Sequence, residues 1–230
     1  MALYRVTDHE LVEALSQMAR ATRLRPWWNA YQQVINKSYM EYIGYEDAAL
    51  RIQTFEPTLV PGLLQTQEYA ETVFQRLPIA SNALNLRDLV DVRMKRQEIL
   101  DRSPAVGLAC LIDQSVIHRY AGGGQQMVRQ LKALIEASNR ESVTIRVVPY
   151  SAGLHPGFLG GFTVFELPGD HEDVLFMENR GGLAARDYIS EGEDPLVGEF
   201  KQVFIELQEK SLTPEETVQL IRVSIEEIGE

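Results

Sequence analysis

The chain has 230 residues, of which 45% are hydrophobic, enough to bury a sizeable core in one large domain or two small ones. Its 33 acidic and 22 basic side chains give a net charge of −11. Apart from a short patch at Arg20, Arg23 and Arg25, the basic residues are interspersed with acidic ones, which argues against binding to a polyphosphate backbone. The apolar runs are too short for a membrane helix or a signal sequence, so we expect a soluble, cytoplasmic protein that binds neither nucleic acid nor a membrane.

The N-terminal part is predicted to be helical. Thr7 and Glu10 form a capping box that opens a helix over about residues 8–23, and Pro26 ends it. Both tryptophans and four of the nine tyrosines then fall between residues 27 and 45. Such aromatic density builds either a seam of the core, which we favour, or the wall of a ligand pocket. The candidate ligand contacts in this stretch are Trp27, Trp28 and Tyr31.

The next segments are predicted as a strand, two helices and a second strand. Residues 49–55 alternate apolar and polar side chains, which favours a strand, and a helix continuing from Tyr45 is the open alternative. After the break at Glu56-Pro57, helices are predicted over residues 65–76 and 86–101. A nearly continuous apolar run over residues 105–112 predicts a buried strand.

The helix over residues 86–101 carries an arginine on its apolar stripe. On a helical wheel, Arg93 and Gln97 fall in the middle of the stripe and Arg96 lies at its edge. A buried guanidinium is costly unless a carboxylate or an anionic ligand meets it, so Arg93 requires a partner. An ion pair with Glu56 or Asp113 is the structural explanation, and an arginine in a ligand pocket is the functional one.

The second half of the chain completes a mixed sheet. Helices over residues 114–120 and 125–138 lead to an apolar strand over 143–148, the pattern of a parallel crossover. A hairpin between 162–167 and 174–178 is followed by two helices, one from Pro195 and one from Thr213-Pro214.

We therefore expect an α+β fold with a helical N-terminal portion, a central mixed β-sheet with flanking helices, and a C-terminal helix pair. Residues 1–45 are predicted to form the helical N-terminal segment and residues 46–230 an αβ domain continuous with it.

Side chains suited to chemistry are sparse. Cys110 lies in an apolar run without a basic neighbour and is interpreted as a buried packing residue. The four histidines lack the spacing of metal ligands, and no cofactor is predicted. His155 lies in a glycine-rich loop over residues 151–161, where we favour a solvent-exposed turn histidine over a general base or a ligand contact. Glu178, at the end of a predicted strand, either pairs with Arg180 or faces the same pocket as Arg93.

Several of these residues form a pattern that is shared with a known family. The stretches are Trp27-Trp28 with Tyr31, Tyr42-Ile43, Phe55-Glu56-Pro57, Val60-Pro61-Gly62-Leu63-Leu64-Gln65-Thr66, Val92-Arg93 with Arg96-Gln97, and His155-Pro156-Gly157. Over about residues 11–221 they resemble the C-terminal domain of unknown function of actinobacterial Xre-type helix-turn-helix regulators, which include the WhiJ-like proteins. In such proteins the domain usually follows the helix-turn-helix and is often encoded beside a small acidic partner protein.

The resemblance implies a domain that receives a signal and alters DNA binding by the helix-turn-helix. A helix-turn-helix domain needs about 60 residues, and only a few precede the first predicted helix. We therefore expect a truncated chain, with a naturally detached copy as the alternative. The candidate ligand-binding residues are Trp27, Trp28, Tyr31, Glu56, Gln65, Arg93, Arg96, Gln97, His155 and Glu178.

Three functions follow from these observations, in order of preference. The first is a signal-receiving domain for a small molecule, which Arg93 would anchor if the ligand is anionic. The second is a protein-interaction or dimerisation module that binds the small acidic partner or a second copy of the chain. The third, which we favour least, is a stand-alone enzyme that acts on a small metabolite with His155 or Glu178 as acid or base.

Overall fold

A computed structural model describes residues 26–76, 86–169, 172–177, 188–191 and 194–229 of the chain. The strands are β1 (Arg51–Glu56), β2 (Gly107–Asp113), β3 (Val143–Val148), β4 (Phe162–Glu166), β5 (Val174–Met177) and β6 (Tyr188–Glu191). They form one mixed sheet in the order β3-β2-β1-β4-β5-β6. Together with its flanking helices, this sheet confirms the predicted α+β class.

Strands β1, β2 and β3 are parallel, as the predicted crossover requires. Residues 51–56 form a strand and do not continue the preceding helix, so the alternation of apolar and polar side chains was the correct signal. Ile52 lies in the main hydrophobic core on one face of the sheet, and Phe55 lies in a second core on the opposite face. The side chains of β1 therefore contribute to two separate layers.

Strands β4, β5 and β6 are antiparallel to their neighbours, which confirms the predicted hairpin between β4 and β5. Strand β6 was not predicted. Its four residues, Tyr188–Glu191, are too few to show a periodic pattern, and their place in the sheet depends on pairing with β5.

Most of the α-helices agree with the predicted segments to within a few residues, whereas the helix over residues 37–48 was not predicted as a separate segment. The α-helices are α1 (Lys37–Ala48), α2 (Gln67–Arg76), α3 (Leu86–Arg96), α4 (Gln114–His118), α5 (Gly124–Ala137), α6 (Pro195–Lys210) and α7 (Pro214–Gly229). Short 3₁₀ helices lie at Trp27–Tyr31, Gly62–Leu64, Gln97–Asp101, Tyr150–Ala152 and Pro156–Leu159. The helix predicted over residues 8–23 lies outside the described residues.

The two C-terminal helices cover opposite faces of the sheet. Helix α6 contributes Val197 and Phe204 to the core on the Phe55 face, whereas α7 contributes Ile221 to the main core on the Ile52 face. The connection between the helices passes the free edge of β3, where the backbone N–H of Leu212 donates to the carbonyl of Val147 at 2.8 Å. The chain thus passes around this edge of the sheet from the face covered by α6 to the face covered by α7.

The buried position predicted for Cys110 is confirmed. Its side chain lies within the main core on β2, and burial raises the pKa of the thiol. Within the described part of the chain, no helix is both long enough and apolar enough to cross a membrane.

Candidate functional site

The candidate site lies where α1, α3 and the turn at residues 62–65 meet. Gln97 donates from Nε2 to the carbonyls of Gly62 (3.0 Å) and Gln65 (2.7 Å), and Gln65 donates from Nε2 to the carbonyl of Val60 (2.7 Å). These bonds hold the turn against the C-terminal end of α3. The structure therefore brings Gln65 and Gln97 together with the two arginines of that helix end, Arg93 and Arg96.

Gln130 on α5 also holds this turn and was not predicted. Its Nε2 donates to the carbonyl of Leu64, and its Oε1 accepts from the backbone N–H of Thr66, both at 2.7 Å. The Gln130 side chain is fully buried. A glutamine among the apolar residues of α5 was the available signal, because a buried amide requires hydrogen-bond partners.

Arg96, and not Arg93, forms the buried ion pair. The Nε and Nη2 atoms of Arg96 donate to the two carboxylate oxygens of Glu46, both at 2.7 Å, and the two side chains are 4% and 1% exposed. The helical wheel placed Arg96 at the edge of the apolar stripe. In the structure, the side of α3 that carries Arg96 faces α1 and is buried. The apolar stripe that the sequence indicates therefore does not coincide with the buried surface of the folded helix.

Sequence reasoning missed Glu46, although a signal was present. Tyr39, Tyr42, Ile43 and Glu46 recur at the spacing of one helix face, so the carboxylate lies on an aromatic stripe of α1. A buried glutamate requires a partner for the same reason that a buried arginine does.

The expected ion pair between Arg93 and Glu56 or Asp113 is not formed. Arg93 donates from Nη1 to Oε1 of Gln65 at 2.7 Å, and its guanidinium carbon lies 4.9 Å from the centre of the Phe74 ring. Among the described residues, no carboxylate pairs with Arg93, and its buried Nε has no acceptor. The charge of Arg93 is therefore not balanced by a carboxylate of the described residues.

The two carboxylates named as possible partners lie elsewhere. Asp113 accepts from the backbone N–H of Ser115 at 2.8 Å and caps α4. Glu56 ends β1 with an oxygen 3.4 Å from the point that a Cβ on Gly161 would occupy. Glu56 and Asp113 lie at the C-terminal ends of the parallel strands β1 and β2, and neither forms an ion pair with Arg93.

Gly62 allows both arginines to approach the turn. A Cβ at this position would lie 3.0 Å from Nη1 of Arg93 and 3.3 Å from Nη1 of Arg96. The absence of a side chain at Gly62 thus leaves room for two guanidinium groups against the backbone.

The arginines perturb the phenol of Tyr39, which accepts a hydrogen bond from Nη1 of Arg96. Burial by itself would raise the pKa of Tyr39, but the positive charges of Arg93 and Arg96 hold this pKa below its ordinary value. The neighbouring Tyr42 behaves in the opposite way, because burial and the Glu46 carboxylate raise its pKa. Positive potential is therefore concentrated at Tyr39.

Trp27, Trp28 and Tyr31 are half-buried and pack against a small hydrophobic cluster beside the site. The Trp27 ring contacts the rings of Trp28 and Tyr31 edge-on, and Nζ of Lys95 lies 5.1 Å from the centre of the Trp27 ring. The same cluster contains Ile43 from α1. These aromatic residues pack between α1 and α3.

His155 is buried, so the expectation of a solvent-exposed turn histidine is wrong. Its side chain is 7% exposed, its ring lies edge-on to Phe55 at 6.0 Å, and Nδ1 has no hydrogen-bond partner among the described residues. A Cβ on Gly157 would lie 2.4 Å from the Phe55 ring, so this glycine allows the loop to fold closely over Phe55.

His155 does not share a cleft with Arg93. Phe55 belongs to the core covered by α6, whereas Tyr42 beside Arg96 contacts Phe165 in the core on the other face of the sheet. Glu178, the remaining candidate, lies outside the described residues.

Comparison with models of known protein families gives a match over most of the chain. No curated protein matches the sequence. A family model described as "Domain of unknown function (DUF5753)" matches residues 39–223, which include α1 from its third residue, α3 and the turn at residues 62–65. The resemblance to a domain of unknown function is thereby confirmed, and the association with Xre-type regulators stays a prediction. Because the match spans well over half of its length, the chain belongs to the DUF5753 family of domains.

Proposed function

We propose that this domain is the signal-receiving part of a cytoplasmic Xre-type transcription regulator, and that the signal is a small anionic molecule bound at Arg93. The environment of Arg93 is the observation on which the proposal rests. Its guanidinium is partly buried, its polar partner is the neutral side-chain amide of Gln65, and its Nε has no acceptor among the described residues.

The cluster around Gly62 carries more positive than negative charge. Arg93 and Arg96 both reach Gly62, whereas Glu46 gives both of its oxygens to Arg96. A partly buried charge without a counter-ion is unfavourable, and an anion at Arg93 would offset that cost. The planar guanidinium group is suited to carboxylate and phosphate groups, which accept two parallel N–H bonds.

The site also lies between two helices that a ligand can hold together. Tyr39 and Glu46 are on α1, and Arg93 and Arg96 are on α3. A ligand that binds one arrangement of these helices more tightly than another shifts the population toward it. The resemblance places the DNA-binding domain before α1, so this helix is the element that we propose transmits the signal.

Native mass spectrometry of the purified chain, followed by denaturing extraction, tests the proposal. We expect an anionic molecule on the wild type, its loss from a folded Arg93→Met variant, and its retention by Arg87→Met. The control removes an exposed arginine from the same helix.

Two results would contradict the proposal. One is a bound molecule that folded Arg93→Met retains as tightly as the wild type does. The other is a wild-type chain that carries no molecule and whose unfolding temperature is not raised by any member of a panel of anionic metabolites.

A second candidate function, homodimerisation, is favoured by the loop between β3 and β4. Leu154, Phe158 and Leu159 are 83%, 69% and 84% exposed. Between Pro149 and Gly161 the sequence contains no Asp, Glu, Lys or Arg, in a chain with a net charge of −11. Acidic copies repel each other less through an uncharged segment, so we propose a second copy as the partner of this loop.

Light scattering after size-exclusion chromatography tests the second candidate. We expect a wild-type dimer, a monomer for the double variant Phe158→Ser/Leu159→Ser, and a dimer for Ile205→Ser, which changes an exposed apolar residue on α6. A monomeric wild type, or a dimer that the double variant leaves intact, would rule this interface out. A monomer that binds the small acidic partner protein through this loop would assign the surface to that partner instead.

A further inference from the structure

We infer that Tyr39 is the second ligand-binding residue of the Arg93 site, and that its hydroxyl group donates a hydrogen bond to an ionised oxyanion of the ligand. This inference rests on the proposed function and defines its ligand class. The class comprises carboxylates and tetrahedral oxyanions of the phosphate type, because both offer acceptors and no donors.

The hydrogen bonds of Arg96 determine which role the Tyr39 hydroxyl can take. Arg96 is held by two bonds to Glu46 and donates from Nη1 to the phenol oxygen. A phenol oxygen that accepts from a guanidinium keeps its own hydrogen for another acceptor. Among the described residues, no acceptor receives that hydrogen.

The groups around the site leave few acceptors for a ligand that donates. The Glu46 oxygens are bound to Arg96, and Oε1 of Gln65 accepts from Arg93. The groups that remain are N–H hydrogens of Arg93 and the O–H hydrogen of Tyr39. An ionised oxyanion satisfies them, whereas an ammonium group would meet the positive charge of Arg93 and oxygens that already accept from the two arginines.

The charges that face Tyr39 give the inference a pH dependence. They are Arg93 and Arg96 on α3 and Glu46 on α1, with the phenol of Tyr42 stacked beside them at 6.2 Å between ring centres. The 3₁₀ turn Gly62–Leu64 contributes no titratable side chain, and α2 contributes the Phe74 ring beside Arg93.

The sign of this pH dependence follows from the phenol. The arginines lower the pKa of Tyr39 from its ordinary value, so the hydroxyl ionises earlier on the alkaline side than an ordinary tyrosine does. Tyrosinate has no hydrogen to donate and repels an anion. Anion binding should therefore weaken as the pH rises through the pKa of Tyr39, and a bound anion should raise that pKa.

The test uses sulfate and acetate as probes, with chloride at equal ionic strength as the reference. Sulfate represents tetrahedral oxyanions and acetate represents carboxylates, and neither titrates on the alkaline side. Binding is measured by isothermal titration calorimetry as a function of pH for the wild type, Tyr39→Phe, Arg93→Met and the control Tyr120→Phe, which changes an exposed tyrosine. The ultraviolet absorbance of tyrosinate follows the ionisation of Tyr39 in parallel.

We expect the wild type to bind one of the two probes. Tyr39→Phe should bind it about tenfold more weakly or worse, the loss that corresponds to one hydrogen bond to a charged group. The alkaline decline in binding should disappear in Tyr39→Phe and persist in Tyr120→Phe. The probe should also shift the tyrosinate transition of the wild type to higher pH.

The outcomes separate this inference from the proposed function. Binding that requires Arg93 but is unchanged in strength and pH dependence by Tyr39→Phe overturns the role of Tyr39 and leaves the anion site in place. A wild type that binds neither probe at millimolar concentration overturns the oxyanion class, and the native mass spectrum then decides the proposed function separately. A preference for sulfate over acetate, or the reverse, identifies the geometry of the bound group.

Discussion

Replacing Arg96 by methionine should destabilise the fold far more than the same change at Arg93. The change at Arg96 removes two charge-assisted hydrogen bonds and leaves the Glu46 carboxylate, whose side chain is 1% exposed, without its cation. Breaking a buried ion pair on one side costs about 3–5 kcal/mol. That is a large share of the roughly 5–15 kcal/mol that holds a typical domain together.

Arg93→Met removes one hydrogen bond to a neutral amide and a contact with the Phe74 ring. The hydrogen bond has a charged donor and is worth about 1.5–3 kcal/mol, and the ring contact is worth about 0.5–1 kcal/mol. Removing a partly buried charge that lacks a counter-ion offsets part of this loss. We therefore expect a loss of at most about 2 kcal/mol at Arg93. This difference separates the structural arginine from the one assigned to a ligand.

Urea unfolding followed by tryptophan fluorescence measures both losses, because Trp27 and Trp28 pack beside α1 and α3. The single variant Glu46→Leu and the double variant Arg96→Met/Glu46→Leu complete a double-mutant cycle. The double variant should recover most of the loss because it removes the isolated charge together with its partner. The reasoning is refuted if Arg96→Met loses less than about 1 kcal/mol, or if the double variant is no more stable than Arg96→Met alone.

Three further predictions concern local features of the fold. Cys110 should resist alkylation in the folded chain and react after unfolding, because burial raises the pKa of its thiol. Mass spectrometry that finds Cys110 alkylated in the native protein would contradict this prediction. Gly157→Ala should lower the free energy of unfolding by about 1–3 kcal/mol, because the added Cβ would lie 2.4 Å from Phe55. Its control, Gly198→Ala within α6, adds a Cβ that meets nothing within 4 Å. The control should be neutral or raise the free energy of unfolding by up to about 1 kcal/mol in the same urea assay. Thr213→Ala should cost about 1 kcal/mol by removing the cap of α7, where Oγ1 accepts from the backbone N–H of Glu216 at 3.2 Å; unchanged stability would argue against that cap.

Part of the candidate site was predictable because a polar residue on an apolar stripe signals a buried interaction wherever it occurs. Arg93 and Gln97 were identified in this way, and both lie at the site. Gln65 entered through the family resemblance and accepts from Arg93. The choice of partner for each arginine was not predictable, because Arg96 and Glu46 are 50 positions apart and meet only through the packing of α1 against α3.

The sequence by itself determined most of the segments that become helices and strands, with β6 as an exception. Local periodicity decides which side chains an element can bury, so β1, β2, β3 and the hairpin of β4 and β5 could be read from residues that are neighbours in the chain. The same reasoning placed Cys110 in the interior of β2.

Only the tertiary structure decided which buried surfaces meet. It assigned the buried ion pair to Arg96 and left Arg93 without a carboxylate partner among the described residues, it folded His155 over Phe55, and it sent α6 and α7 to opposite faces of the sheet. Each of these results depends on the angle and register at which distant elements pack. Short-range periodicity specifies an element's apolar face but not the element that will cover it.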